Sequence, residues 1–456
     1  MLSSVSLFLL ILLSSPQSSL QGQLPKHDLG VTEFLKNNPE YDGRGIRVAV
    51  LDTGVDPGHP FLQVTPDGRR KIVDWYDATT DSLIKTDYRV QPKGGNVLGL
   101  SGRNLSLGKY SSMGEVRLGR IDGDFFPSDL QSRILSDRRE KWTDRAREYQ
   151  ENKLRDGEGD KTIASVIASR NADDFSDRGP VYDVLVFKTS EGWMVVIDSD
   201  EDGDLGEERA LRDFKNTGDW TTLGEESNLN YCVSVSEDGD TTHFFFDAHG
   251  HGTHVAGIIG SYEGIDSRLN GVATGVEIVA IKIGDGKVGG ATSGFAVAKA
   301  LDYAVEAGCQ IANMSFGGPS FFADGNEPDD WVIQEAAKRG LLLVTSAGNE
   351  GPTLSTVGSP ATSEIAWSIA AAIWPDTQKV SYSSLNPASA LLFDFSSRGP
   401  LPNGDLGIDF AAPGAALSAL PSWTLAKGES WNGTSMAAPQ MAGCVSLLAC
   451  AALAEG

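Results

Sequence analysis

The segment Asn432-Gly433-Thr434-Ser435-Met436-Ala437-Ala438-Pro439, with an apolar helical stretch behind it to about Leu453, is the densest chemical signal in the chain. Ser435 stands where that helix would open, beside unpaired backbone N–H groups and the positive end of the helix dipole, an environment that favours a developing oxyanion. Pro439 fits a first turn, where its missing N–H costs nothing, and Gly433 permits a close approach of backbone to ligand. A serine at a helix start is usually only a cap, so the chemistry needs a base. Three of the six histidines lie in His249-Gly250-His251-Gly252-Thr253-His254. One of them could take the Ser435 proton. The His-x-His-x-x-His spacing is also one that zinc sites use, but Thr253 stands where a carboxylate would be wanted and no second ligand set follows, so the base is the reading kept. Asp52, closing the run Val48-Ala49-Val50-Leu51, is the carboxylate that could fix a histidine tautomer. Asn349, in Thr345-Ser346-Ala347-Gly348-Asn349-Glu350-Gly351, could donate a side-chain N–H to an oxyanion, with the Ser435 backbone N–H as the second donor.

These residues need a scaffold that brings strand ends and helix starts together. Ile46 to Leu51, Glu277 to Ile283, Cys309 to Phe316 and Leu341 to Val344 are continuous apolar runs of the kind buried on both faces of a parallel sheet. Ser293 to Ala307 and Asp329 to Arg339 read as the helices between them. This alternation predicts an α/β fold, a doubly wound parallel sheet with helices on both faces and functional groups at the carboxyl ends of strands.

Between about Pro60 and Asp247 charges dominate, and the pattern changes to α+β. Ser128 to Arg155 predicts one long amphipathic helix, with Ser128 and Gln131 as a capping box and Leu130, Ile134, Trp142, Ala146 and Tyr149 on one face. Val181 to Lys188, a Ser-Glu-Gly turn and Trp193 to Ile197 predict a hairpin. Residues 60–246 therefore read as a subdomain inserted between the Asp and His segments.

The 456 residues carry 38 Lys and Arg against 62 Asp and Glu, a net charge of −24 that argues against nucleic-acid or anionic-membrane partners. The run Leu7 to Leu13 followed by small and polar residues to Gly22 reads as a signal peptide over residues 1–22 and predicts export, with a cytoplasmic chain as the alternative. Four cysteines are too few for a disulfide framework. Cys444 and Cys450 cannot pair on one helix, where six residues rise about 9 Å.

Together the four segments resemble the subtilisin superfamily of serine peptidases, whose order of Asp, then His, then Ser is found here in Asp52, His251 and Ser435. Gln63-Val64-Thr65-Pro66-Asp67-Gly68, Lys71-Ile72-Val73-Asp74, Gly179-Pro180-Val181-Tyr182-Asp183, Glu201-Asp202-Gly203-Asp204-Leu205, Lys282-Ile283-Gly284-Asp285 and Ser355-Thr356-Val357-Gly358 resemble the N-terminal catalytic part of the tripeptidyl-peptidase II family. This resemblance covers about Val31 to Ala451. It implies a triad of Asp52, His251 and Ser435, an oxyanion hole completed by Asn349, and substrate backbone docking on Ser315-Phe316-Gly317. It also implies a peptide or unfolded-protein substrate and no cofactor, and leaves self-association open.

Two departures stand out. The family reads a substrate's free N-terminus with two glutamates, which align with Thr292 and Gly318 here. The chain also stops 21 residues after Ser435, where family members continue. The first departure predicts an endopeptidase, with release of N-terminal tripeptides as the alternative; an inactive peptide-binding relative is the rival from another class. Asp198, Asp200, Asp202 and Asp204 fit the first half of a calcium loop, but position twelve is Arg209, so a solvated acidic turn and no metal is the expectation.

Overall fold

The apolar run before Asp52 forms the central strand β1 (Arg47–Asp52) of the protein, whose computed structural model describes residues 24–155, 177, 179–264, 267–286, 290–320, 322 and 327–455. Val48, Ala49, Val50 and Leu51 are all buried because both faces of the strand are covered. The valines and Leu51 each contribute roughly 1.5–3 kcal/mol when fully buried.

The sheet adds β2 (Ile72–Asp77), β3 (Glu277–Lys282), β4 (Ile311–Met314), β5 (Leu342–Ser346), β6 (Trp367–Ile373), β7 (Leu391–Leu392) and β8 (Phe410–Pro413). The strand order is β7-β6-β5-β4-β1-β3-β2, with β8 also paired to β6. Every pairing is parallel except that of β7 with β6. Parallel neighbours need crossovers, and helices supply them on both faces. Val48 and Val50 pack with Val255 of α2 (His251–Gly260) and Ala437 of α5 (Thr434–Glu455). Ala49 and Leu51 face Ala296 and Leu301 of α3 (Gly294–Glu306) and Ile333 of α4 (Pro328–Lys338). The long helix earlier in sequence, α1 (Ser128–Arg155), belongs to the insert.

The expected doubly wound α/β sheet is therefore present, and the region between the Asp and His segments carries further sheets. One four-stranded antiparallel sheet joins Thr221–Leu223, Leu229–Val235, Thr241–Phe245 and Leu83–Lys85; another joins Tyr88–Val90, Val116–Asp122, Val181–Thr189 and Gly192–Ile197. The last two strands are the hairpin expected from the alternation. Leu130 and Ile134 of α1 are buried against these sheets, while the side chains of Trp142, Ala146 and Tyr149 lie outside the described residues. Gln131 forms no box with Ser128; its Nε2 donates to the Phe126 carbonyl at 2.6 Å.

One strand crosses the predicted boundary. β2 lies inside residues 60–246 yet pairs in parallel with β3, so it is the sheet's edge strand rather than part of the insert. At the end of β3 the buried Lys282 pairs with Asp81 at 3.0 Å and donates to the Gly284 carbonyl at 2.9 Å, a link from sheet to insert. The segment read as a signal peptide, residues 1–22, lies outside the described residues. All four cysteines are free thiols.

Candidate active site

Three of the candidate segments follow from strand ends. β1 closes on Asp52, β4 delivers Ser315-Phe316-Gly317, and β5 delivers Ala347-Gly348-Asn349 through a turn in which Gly348 adopts φ 108°, a conformation that favours glycine. The two remaining residues sit at helix starts: His251 opens α2 and Ser435 is the second residue of α5. Gly252 sets the distance between helix and strand. A Cβ there would overlap the Gly54 carbonyl oxygen, so only glycine lets the first turn of α2 press against the chain after Asp52.

The imidazole Nδ1 of His251 lies 2.8 Å from Asp52 Oδ1. The same oxygen accepts the Thr53 N–H at 2.8 Å, and Oδ2 is buried with no hydrogen-bond partner among the described residues. Burial pushes the His251 imidazolium toward losing its proton, but the charge and hydrogen bond of Asp52, with the charge of Asp247 added, outweigh it and hold the pKa above the ordinary histidine value. This is the electrostatic condition for a general base that must store a proton.

Ser435, His251, Asn349, Ser315, Phe316 and Gly317 line one cleft. The Ser435 hydroxyl donates to the Ser315 carbonyl at 3.2 Å in this structure; rotation about χ1 is what would redirect it toward His251. Pro439 falls in the second turn of α5, not the first. Its missing N–H deprives the Ser435 carbonyl, four residues earlier, of its helical donor. The Ser315 hydroxyl fills that place at 2.9 Å, and Asn313 Nδ2 donates to the Ser315 oxygen at 3.0 Å. The proline thus creates a vacant acceptor through which β4 grips the start of α5.

Asn349 is oriented from α5 as well. Its Oδ1 accepts from the Thr434 N–H and hydroxyl, each at 3.0 Å, which leaves Nδ2 as the donor available to the cleft. Phe316 meets the His251 ring edge-on at 5.9 Å.

The three histidines do not converge. His254 is buried, its ring stacks on Trp431 at 4.6 Å, and its Nε2 donates to the Glu429 carbonyl at 3.0 Å. Burial pushes its pKa down to about 3. Among the described residues the histidines form no metal-sized cluster; oxygens of Asp198, Asp200 and Asp202 do lie within 4.8 Å of one another. Arg103 donates to Asp198 at 3.1 Å and to Glu201 at 3.2 Å, placing a guanidinium where a cation would otherwise help, and Asp204 accepts the Gly206 N–H.

At the positions of the family's two glutamates, Thr292 and Gly318 are exposed, and the Gly318 N–H donates to the Ser359 carbonyl at 3.0 Å. Of the acids on the loop before α4, Glu327 and Asp330 form a reciprocal capping box on that helix, and Glu327 also accepts from Ser320 and Phe322; Asp324 and the Asp329 side chain lie outside the described residues, and Glu350 lines the cleft itself. Asp247 was not singled out from sequence. A carboxylate after Phe244-Phe245-Phe246 reads as the turn ending a strand, and only its place four residues before His251 hinted at more.

The sequence matches the Subtilase family, Peptidase_S8, over residues 43–452. It is 35% identical to tripeptidyl-peptidase 2 of Arabidopsis thaliana over 95% of this chain and 34% of that protein, and 33% identical to the Caenorhabditis elegans tripeptidyl-peptidase 2 over 95% and 33%. The crystal structure of tripeptidyl peptidase 2 (TPP II) superposes with a TM-score of 0.65 at 24% identity, covering 94% of this chain and 34% of that one, a likeness of fold. The chain thus spans about a third of the length of these relatives. It belongs to the subtilase family of serine peptidases and is closely related to the tripeptidyl-peptidase II homologues.

Proposed function

We propose that this chain hydrolyses peptide bonds through Ser435 and releases tripeptides from the free N-termini of its substrates. In the first step Ser435 Oγ attacks the scissile carbonyl carbon while its proton passes to His251, whose positive charge Asp52 stabilises. The oxyanion gathers the N–H of Ser435 and Nδ2 of Asn349. On collapse the C–N bond breaks, the amine leaves with the proton from His251, and water activated by the same imidazole then hydrolyses the ester. The substrate backbone docks as a strand on Ser315-Phe316-Gly317.

The tripeptidyl assignment rests on one observation: the 35% identity to a tripeptidyl-peptidase 2 runs through 95% of the chain, insert included. It takes precedence over the endopeptidase expected from sequence. The endopeptidase stays as a second reading because Thr292 and Gly318 carry no charge and Glu327 and Asp330 are committed to a helix cap, while a buried substrate ammonium needs carboxylates.

A pair of peptides differing only in N-terminal acetylation separates the two. Tripeptide products, with acetylation lowering kcat/KM more than about tenfold, equivalent to about 1.4 kcal/mol, support the exopeptidase. Internal cleavage at equal rates supports the endopeptidase.

A further inference from the structure

Asp247 is a buried carboxylate with no cationic partner among the described residues, held instead by five hydrogen bonds. Its Oδ1 accepts the Thr53 hydroxyl at 2.9 Å and the N–H groups of His249 and Gly250 at 3.0 and 2.9 Å. Its Oδ2 accepts the N–H and hydroxyl of Thr253 at 2.9 and 2.5 Å. The donors come from two places. His249, Gly250 and Thr253 bracket His251 at the start of α2, and Thr53 follows Asp52 at the end of β1. Thr53 closes the frame: its oxygen accepts the Gly252 N–H at 3.0 Å, and its own N–H donates to Asp52 Oδ1.

We infer that Asp247 is a positioning residue for the hydrolysis, clamping the backbones of His251 and Asp52 into one frame and lending its buried charge to the imidazolium that forms between them. This rests on the assignment of Asp52, His251 and Ser435 as the reacting triad. Burying a carboxylate away from water is costly unless its oxygens are hydrogen-bonded. Five donors, three of them N–H groups around a helix N-terminus, satisfy both oxygens of this one. Its charge then acts across low-dielectric protein and is not screened by solvent. The groups facing His251 are Asp52 from β1, Asp247 from the segment before α2, His254 from α2 itself, His249, and Glu350 from the segment after β5 that shares the cleft. His254 is neutral, so Asp52 and Asp247 are the two buried carboxylates in the set. Both raise the His251 pKa.

A role confined to holding the fold would change the amount of active enzyme and leave the titration of the active fraction untouched. Asp247→Asn removes the charge at nearly unchanged volume and turns one accepting oxygen into an NH2 that cannot accept from the N–H groups it faces; Thr53→Val keeps the charge and removes the hydroxyl that joins Asp247 and the Gly252 N–H to the end of β1. The experiment measures kcat and KM against pH for the wild type, Ser435→Ala, Asp247→Asn and Thr53→Val, normalised by active-site titration. Asp247→Asn is expected to move the acidic limb of kcat/KM to lower pH by about half a unit and to reduce kcat about tenfold at little change in KM. Thr53→Val is expected to reduce kcat with the limb in place.

An active, titratable Asp247→Asn enzyme whose limb coincides with the wild type overturns the inference. If Asp247→Asn yields no folded protein, Thr53→Val decides: unchanged kcat rejects the clamp, and a loss with KM unchanged supports it. A wild type that is inactive, or an active Ser435→Ala, overturns the triad assignment and the inference with it. A normal wild type and a dead Ser435→Ala beside an unmoved Asp247→Asn profile overturn the inference alone.

Discussion

Asn349 and Thr434 are joined by two hydrogen bonds, the Thr434 N–H and hydroxyl both donating to Asn349 Oδ1 at 3.0 Å. The residue in the turn after β5 is therefore aimed by the helix that carries Ser435, so the Asn349 and Ser435 side chains are oriented as one unit.

Removing the donor should act on the transition state alone. Asn349→Ala is predicted to lower kcat by about 10²- to 10³-fold with little change in KM. Thr434→Val loses one of the two tethers and should cost less in the same direction. Steady-state kinetics on a single fluorogenic peptide checks both; a rise in KM at unchanged kcat would assign Asn349 to ground-state binding.

The pH dependence carries two opposite signs. The base must be neutral to accept the Ser435 proton, and its pKa is held above the ordinary value, so kcat/KM is predicted to rise with pH through a midpoint above about 6.5. Stability runs the other way. The folded state holds the His251 proton more tightly than the unfolded chain does, so that contribution is complete below about pH 6.5 and is lost as pH rises through the folded value. Rate profiles and denaturant titrations across the same pH range test the pair. An acidic limb centred below the ordinary histidine value contradicts the electrostatics described for the site.

The two outer histidines separate structure from chemistry. His254 is packed between Trp431 and the Glu429 carbonyl, so His254→Ala is predicted to cost roughly 2–4 kcal/mol of stability through a cavity and an orphaned acceptor. His251→Ala should instead abolish most of kcat, with a loss of stability that is largest below about pH 6.5, where the protonated imidazole pairs with the buried Asp52. A zinc site would make the alanine variants of His249, His251 and His254 equally harmful to activity and would let a chelator stop it. Melting curves and rates for the three variants, with and without chelator, decide the matter.

Strands β1, β3, β4 and β5 were legible because they are short, continuous apolar runs, and Asp52 and Asn349 because one ends such a run and the other sits just beyond one; β6, β7 and β8 were not read from the sequence. Local pattern could not place β2: in Ile72–Asp77 two aspartates interrupt the apolar residues, so it is no continuous apolar run, and only its pairing with β3, some 200 residues away, assigns it. The α+β character of the insert was readable, but its sheets depend on pairings such as Thr241–Phe245 with Leu83–Lys85 that periodicity does not encode. Pro439 was placed one turn too early, which hid the vacancy that Ser315 fills. Asp247 escaped because its importance lies in who donates to it, a property of the folded backbone.

Whether Ser435 is an activated nucleophile is tested most directly by a fluorophosphonate serine-hydrolase probe with peptide mapping of the label. The prediction is covalent label on Ser435 of the folded chain, absent in Ser435→Ala and slowed about a hundredfold or more in His251→Ala. A folded wild type that takes no label, or one whose labelling is unaffected by His251→Ala, would contradict the enzyme reading and leave a peptide-binding relative in its place.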